Sequence, residues 1–440
     1  MSDTSTATYW CEHAWLADGT VAQGVAITVD DGVIAAIEPG ARPTGRTLSG
    51  LVIPGLANAH SHAFHRALRS RTQRDRGSFW TWRALMYAAA ERLTPDLYRD
   101  LARAVYAEMA LAGITVVGEF HYLHHDTGGT PYADPNAMGH ALIDAAADAG
   151  IRITLLDTCY LTAGVDGTPL AEGPQQRFGD GDGHRWADRV EALHAATKDR
   201  EHLLVGAAVH SVRAVPVADM AAVVDWAGGR DAPLHIHSSE QTAEVDQCLA
   251  VHGCTPTALM RDHGVLGERT TAVHATHLTD GDIADLHRTA TGVCFCPTTE
   301  RDLGDGIGPA PALLEGPGLF SLGSDSHAVI DLFEEARGVE LDERLARRHR
   351  GVLAADRLLA AATLDGHRAL GWSDAGELRV GARGDLVAVD LDSVRTAGGG
   401  ATTENVVFAC TTSDVTDVVI DGRPVVENRR HIEVPDTGRA

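Results

Sequence analysis

Residues 51–62 read LVIPGLANAHSH, an apolar run that stops at a His-x-His pair. In an extended segment, residues two apart point to one face, so both imidazoles reach the same side of the strand end. Seven more runs follow the same plan: TVVGEFHY (115–122), RITLLDTCY (152–160), LLVGAAVH (203–210), LHIHSSE (234–240), TAVHATH (271–277), GVCFCPT (292–298) and LFSLGSDSH (319–327). Each ends in polar residues, and the spacing averages roughly 38 residues, the length of a βα unit with insertions. Helical patterns lie between the runs, among them PDLYRDLARAVYAEMALAG (95–113), MGHALIDAAADAG (138–150), TAEVDQCLAVHG (242–253) and the segment after Ser326. Gly after an apolar stretch marks several of their ends. Alternating strands and helices fit a parallel barrel or an open doubly wound sheet. Site-type residues on the first, middle and last strands favour the barrel, because an open sheet spreads those ends tens of Å along one edge. The expected fold is α/β, a (β/α)8 TIM-like barrel.

Both ends of the chain read differently. GVAITVDDGVIAAIEPG (24–40) alternates around an Asp-Asp-Gly turn, a hairpin signal. GDLVAVDLD (384–392) and VTDVVIDGRPVVENRRH (415–431) repeat it with a second Asp-Gly turn. The two termini are expected to pair into one small β-sandwich domain, residues 1–52 with 376–440, flanking a barrel of residues 53–375.

Composition narrows the function classes. Among 440 residues, 44% are hydrophobic, enough for a large core. The formal charge of −24 repels nucleic acid and anionic membranes. An anionic substrate therefore needs locally placed cations. The first residues lack a basic n-region with an apolar core, and no run of ~18 apolar residues occurs. Seven cysteines without a C-x-x-C pair argue against a disulfide framework or zinc ribbon, so a cytoplasmic location is expected. The acidic surface leaves a homodimer open.

The polar strand ends carry the chemistry. His60 and His62, then His237, then Asp325 offer three imidazoles and a carboxylate, a set suited to one catalytic divalent ion of zinc type. Such a set leaves room for a water, whose pKa the ion lowers to about 7. Glu240, three residues beyond His237, is placed to move protons, and His274 to stabilise developing charge. Taken singly, each has a blander reading: a core histidine, an exposed Glu, or an N-cap for Asp325. His235 takes the structural role more readily than His237. Lys198, the only lysine, sits in a helical segment, which argues against a two-metal site bridged by a carboxylated lysine.

The ordered set HSH, HIHSSE, VHATH and GSDSH resembles the amidohydrolase superfamily. Longer segments over residues 54–350 resemble one of its families, the formimidoylglutamate deiminases: NAHSHAFHRAL, GSFWTWRALMY, GEFHYLHHD, PYADP, HSVRAV, HIHSSEQTAEVDQCL and TTERDLGDGI. The resemblance implies hydrolysis of N-formimidoyl-L-glutamate to N-formyl-L-glutamate and ammonia, in histidine degradation. It implies metal ligands at His60, His62, His237 and Asp325, with Zn2+ the expected ion. It places catalysis on Glu240, His274 and Asp325, and substrate binding on Arg83, Tyr122, His210, Arg213 and Ser326. His65 stands where the family often has Gln, with a different reach and a pH-dependent charge. The residue chemistry suits that substrate: Arg83 and Arg213 can each clamp a carboxylate, and Glu240 suits a cationic formimidoyl nitrogen. The segment from Arg66 to Trp82 is a candidate lid. Competing expectations are another deaminase of the superfamily acting on a nucleobase or a different formimidoyl amino acid, an amide or lactam hydrolase, and a non-catalytic metal-binding barrel.

Overall fold

The computed structural model describes residues 6–72 and 79–434. The chain begins with four strands, β1 (Ala7–Trp15), β2 (Val21–Asp30), β3 (Val33–Pro39) and β4 (Arg46–Pro54). The β2–β3 hairpin turns at Asp31 and Gly32, both left-handed (φ 47° and 81°), as the Asp-Gly signal predicts.

Eight parallel strands follow, one from each apolar run: β5 (Leu56–Ser61), β6 (Ile114–His121), β7 (Arg152–Cys159), β8 (Leu203–Val209), β9 (Leu234–Ser238), β10 (Thr270–His274), β11 (Gly292–Phe295) and β12 (Phe320–Leu322). They neighbour one another in sequence order, and helices lie in the connections. Both faces of such strands are covered, which is why they read as continuous apolar runs. The predicted helices form over Pro95–Leu111, Ala137–Asp148, Thr242–His252 and Leu332–Arg347. The first apolar run proves to be two strands. LVIP completes β4 in one sheet and LANAHS forms β5 in the other, with Gly55 between them. A Cβ at Gly55 would lie 2.3 Å from the Thr115 hydroxyl, so only glycine lets the chain cross there.

Last and first strands meet through the residues of interest. Asp325 N–H donates to the His60 carbonyl (3.0 Å), and His62 N–H donates to the Asp325 carbonyl (3.2 Å). Gly323 allows this approach: a Cβ there would lie 2.7 Å from the His60 Cβ and 2.9 Å from its backbone N.

The carboxyl-terminal strands β13 (Leu386–Val389), β14 (Val415–Ile420), β15 (Arg423–Glu427) and β16 (Arg430–His431) join the amino-terminal ones in a second eight-stranded sheet. The seam is antiparallel, β13 against β4, with Leu386 opposite Pro54. Ile53, Val387, Val415 and Val418 pack into the barrel's core, while Tyr9, Cys11, Ile27, Leu48 and Val419 enclose a second, smaller core. A buried ionic cluster also ties the sheets together. Arg152, at the start of β7, binds Asp385 and, at 2.9 Å, Asp421, and its guanidinium lies 5.2 Å from the Trp372 ring centroid.

Among the described residues, no helix is long and apolar enough to cross a membrane. The seven cysteines are free thiols. Lys198 is exposed beside the start of β8, at the opposite end of the strands from the histidine cluster.

Candidate active site

The carboxyl ends of the barrel strands gather His60, His62, His237, Glu240, His274 and Asp325 in one buried cluster. Several of the turns that aim them are strained. Ser239, His274 and Asp325 have φ of 51°, 69° and 41°, a left-handed conformation that costs a non-glycine residue about 1–3 kcal/mol. Cross-strand hydrogen bonds hold these turns: Ala275 N–H to the Ser238 carbonyl and His277 N–H to the Ser239 carbonyl, both 3.0 Å. Asp325 caps no helix; Asp331 caps the one that follows.

The donor atoms suit one divalent ion. His62 Nδ1–H donates to the Phe120 carbonyl and His237 Nδ1–H to the His210 carbonyl, each at 2.9 Å. Those bonds fix the tautomers and leave both Nε2 lone pairs free to coordinate. Nε2 of His237 lies 3.1 Å from Nε2 of His60, and Asp325 Oδ1 lies 3.5 Å from Nε2 of both His60 and His62. Imidazole lone pairs converging on a carboxylate in a dry site match the chemistry of a bound cation. Burial keeps these imidazoles neutral: it lowers the His62 pKa to about 3 and His237 well below its usual range. Burial alone would raise Asp325, but a hydrogen bond from His60 and the charge on His274 hold it below the usual carboxylate range. Glu119, beneath the His-x-His segment, accepts from Ser61 Oγ (2.6 Å) and Ala63 N–H (2.7 Å) and fixes its path.

Beside this set stand Glu240 and His274. Burial raises the Glu240 carboxyl above its ordinary pKa, against the pull of His274 and Arg213. Burial would lower His274, but Glu240, Glu300 and Asp325 together raise it well above its usual value. His274 Nδ1 lies 3.3 Å from Glu300 Oε1 and Nε2 lies 3.8 Å from Asp325 Oδ2, so the ring is aimed from both sides.

Cationic and hydroxyl-bearing side chains share the same cavity. Arg83, Tyr122, His210, Arg213 and His65 all line it. Arg83 Nε–H donates to the Tyr87 hydroxyl (2.5 Å), which also accepts from Gln175 Nε2 (2.8 Å). Arg213 Nε–H donates to Glu244 Oε2 (2.7 Å). His65 Nε2 hydrogen-bonds the Tyr122 hydroxyl at 2.9 Å. Ser326 is turned elsewhere: its backbone and side chain both meet the Thr299 hydroxyl, and it does not line the cavity. His235 is bound to the Ala369 carbonyl beneath the site, the structural role its position suggests. Residues 73–78, inside the stretch expected to act as a lid, lie outside the described residues.

The strand-end pattern left several lining residues unremarked. Trp82, Met86, Tyr87 and Tyr160 contribute to the cavity. Tyr160 ends the third apolar run, so the rule that found the histidines reaches it as well. Tyr87 follows Arg83 by four residues on one helix, the spacing of facing side chains. Glu119, Glu244 and Glu300 act through partners distant in sequence and carry no local signal. A second group, His121, His124 and Asp157, also has metal-type side chains. There Arg189 makes two hydrogen bonds to Asp157 (2.8 and 2.9 Å) and Trp186 Nε1–H a third, so a cation is already in place.

Comparison with known proteins identifies the family. The amidohydrolase family profile matches residues 51–425. The formimidoylglutamate deiminase of Pseudomonas aeruginosa is 39% identical over 98% of this chain and 97% of its own length. The crystal structure of an amidohydrolase from Brucella melitensis superposes with a TM-score of 0.91 at 36% identity, covering 98% of this chain and 97% of that one. An adenosine deaminase from Xanthomonas campestris, solved with bound zinc, superposes with a TM-score of 0.83 at 26% identity, covering 97% and 94%. The chain belongs to the amidohydrolase family and, within it, groups with the formimidoylglutamate deiminases.

Proposed function

We propose that this chain hydrolyses N-formimidoyl-L-glutamate to N-formyl-L-glutamate and ammonia with one divalent ion, zinc, at its centre. The observation that carries the reading is the lining of a single cavity, which brings two guanidiniums, Arg83 and Arg213, together with two carboxylates, Glu240 and Asp325. A substrate that carries two carboxylates and a cationic amidine matches that lining, and guanidinium forks suit carboxylates. The named relative from Pseudomonas aeruginosa supports the same choice.

In this reading His60, His62, His237 and Asp325 hold the ion, which supplies Lewis acidity and makes water a competent nucleophile at neutral pH. Arg83 and Arg213 clamp the carboxylates, with Tyr122, His210 and His65 adding hydrogen bonds. Water attacks the formimidoyl carbon, and Glu240 takes its proton and delivers it to the terminal nitrogen. The C–N bond to that nitrogen then breaks. The water oxygen becomes the formyl oxygen, and both water protons leave on ammonia. His274 faces the reacting centre and stabilises charge that develops there. A cytoplasmic enzyme fits the reduced thiols.

Ammonia release measured side by side from formimidoylglutamate, formimidoylaspartate, guanine and cytosine tests the assignment. The reading expects the first to lead in kcat/KM. A nucleobase in that place would transfer the site to the nucleobase deaminases.

A further inference from the structure

We propose that Glu244 is a positioning residue that holds Arg213 and the turn presenting Glu240 in one register. The proposal rests on the substrate reading above and deepens it, by linking carboxylate recognition to proton transfer.

Glu244 sits in the first turn of the helix Thr242–His252, where an acidic residue ordinarily faces solvent and complements the helix dipole. Here it is only 2% exposed, and its two oxygens are divided between two loops. Oε2 accepts from Arg213 Nε–H at 2.7 Å, and Oε1 accepts from Ser239 N–H at 3.0 Å. Arg213 belongs to the loop after β8, and Ser239 to the loop after β9. A buried carboxylate is costly unless paired and hydrogen-bonded, and a dipole partner gains nothing from burial. The placement has a use if the carboxylate joins those two loops.

Each contact acts on a different part of the site. Arginine carries five N–H donors in a rigid plane, so engaging Nε fixes the direction of the whole guanidinium. The Ser239 contact acts on the left-handed turn immediately before Glu240, a conformation that needs outside support. The same turn accepts from His277 N–H through the Ser239 carbonyl, which extends the brace toward β10 and His274. One carboxylate thus couples the position of Arg213 to that of the turn carrying Glu240. Glutamine cannot replace it: a single oxygen serves one of the two donors, and its NH2 group would face the other.

The test compares Glu244→Gln and Glu244→Asp with the zinc-loaded native enzyme on two substrates. One is formimidoylglutamate; the other is an N-alkylformamidine with no carboxylate. The expected result for Glu244→Gln is a KM for formimidoylglutamate raised about 10- to 100-fold, the scale of a lost hydrogen bond to a charged group. KM for the alkylformamidine stays unchanged, and kcat falls on both substrates because the Glu240 turn is loosened. Glu244→Asp keeps the charge but is one methylene too short to bridge, and gives the same pattern in milder form. It decides the matter if the Gln variant does not fold. A lowered melting temperature with both KM values unchanged would reduce Glu244 to a structural residue and overturn the proposal. A native enzyme that leaves formimidoylglutamate intact would overturn the substrate reading, and the proposal with it.

Discussion

Glu240 and Asp325 are buried carboxylates in one site, and their surroundings push them in opposite directions. Burial raises Glu240, whereas the histidines around Asp325 outweigh burial and hold it ionised. Environments that drive two titratable groups apart suit separate roles, and the proposed mechanism uses Glu240 as the proton carrier and Asp325 as a permanent anion. Replacing Glu240 by Gln is expected to cut kcat by about 10²- to 10⁴-fold while zinc content, measured by atomic emission, stays at the native level. In the proposed mechanism Glu240 acts as a base only when ionised, so kcat/KM is expected to fall as pH drops through its raised pKa. The acid limb of the profile is therefore expected above the ordinary Glu value of about 4.3, and a limb at or below that value would contradict the assignment. At this scale the sequence reveals residues whose chemistry is announced by position. His60, His62, His237, Glu240, His274 and Asp325 all stand at strand ends. Glu244 and Glu300 stay hidden because they read as first-turn acids of helices, and only the fold supplies their partners.

Among the elements, the strand pair that closes the barrel is the most sensitive. The β5 and β12 ends are joined by backbone bonds of His60, His62 and Asp325, and Gly323 leaves the space for them. Gly323→Ala is expected to destabilise the fold by about 1–3 kcal/mol, read from urea denaturation, since the added carbon must displace His60. If the proposed ion is bound as described, it is expected to dissociate faster from this variant than from the native protein, because β5 and β12, which carry proposed ligands, are forced apart. All eight barrel strands were legible as apolar runs with polar ends, since burial on both faces removes the alternation of a surface strand. The break at Gly55 was not, because Val52, Ile53, Leu56 and Ala57 are all buried and the change of sheet leaves no mark in hydropathy.

At the scale of the molecule, two sheets share a core and a buried charge cluster. Arg152 is 1% exposed and binds Asp385 and Asp421 across the junction. Removing one member of a buried pair strands its partner, so Arg152→Ala is expected to cost about 3–5 kcal/mol of stability in urea denaturation. Pairing of the two chain ends was readable from their strand-rich sequence and Asp-Gly turns. The ionic junction was not, because Arg152 opens an apolar run and its partners lie more than two hundred residues away. The whole assembly exists, on this account, to cleave one particular C–N bond. Product analysis after incubating the zinc-loaded protein with N-formimidoyl-L-glutamate tests that claim most directly. The expected products are N-formyl-L-glutamate and ammonia in equal amounts. Glutamate and formamide, the products of cleavage on the other side of the amidine carbon, would contradict that claim.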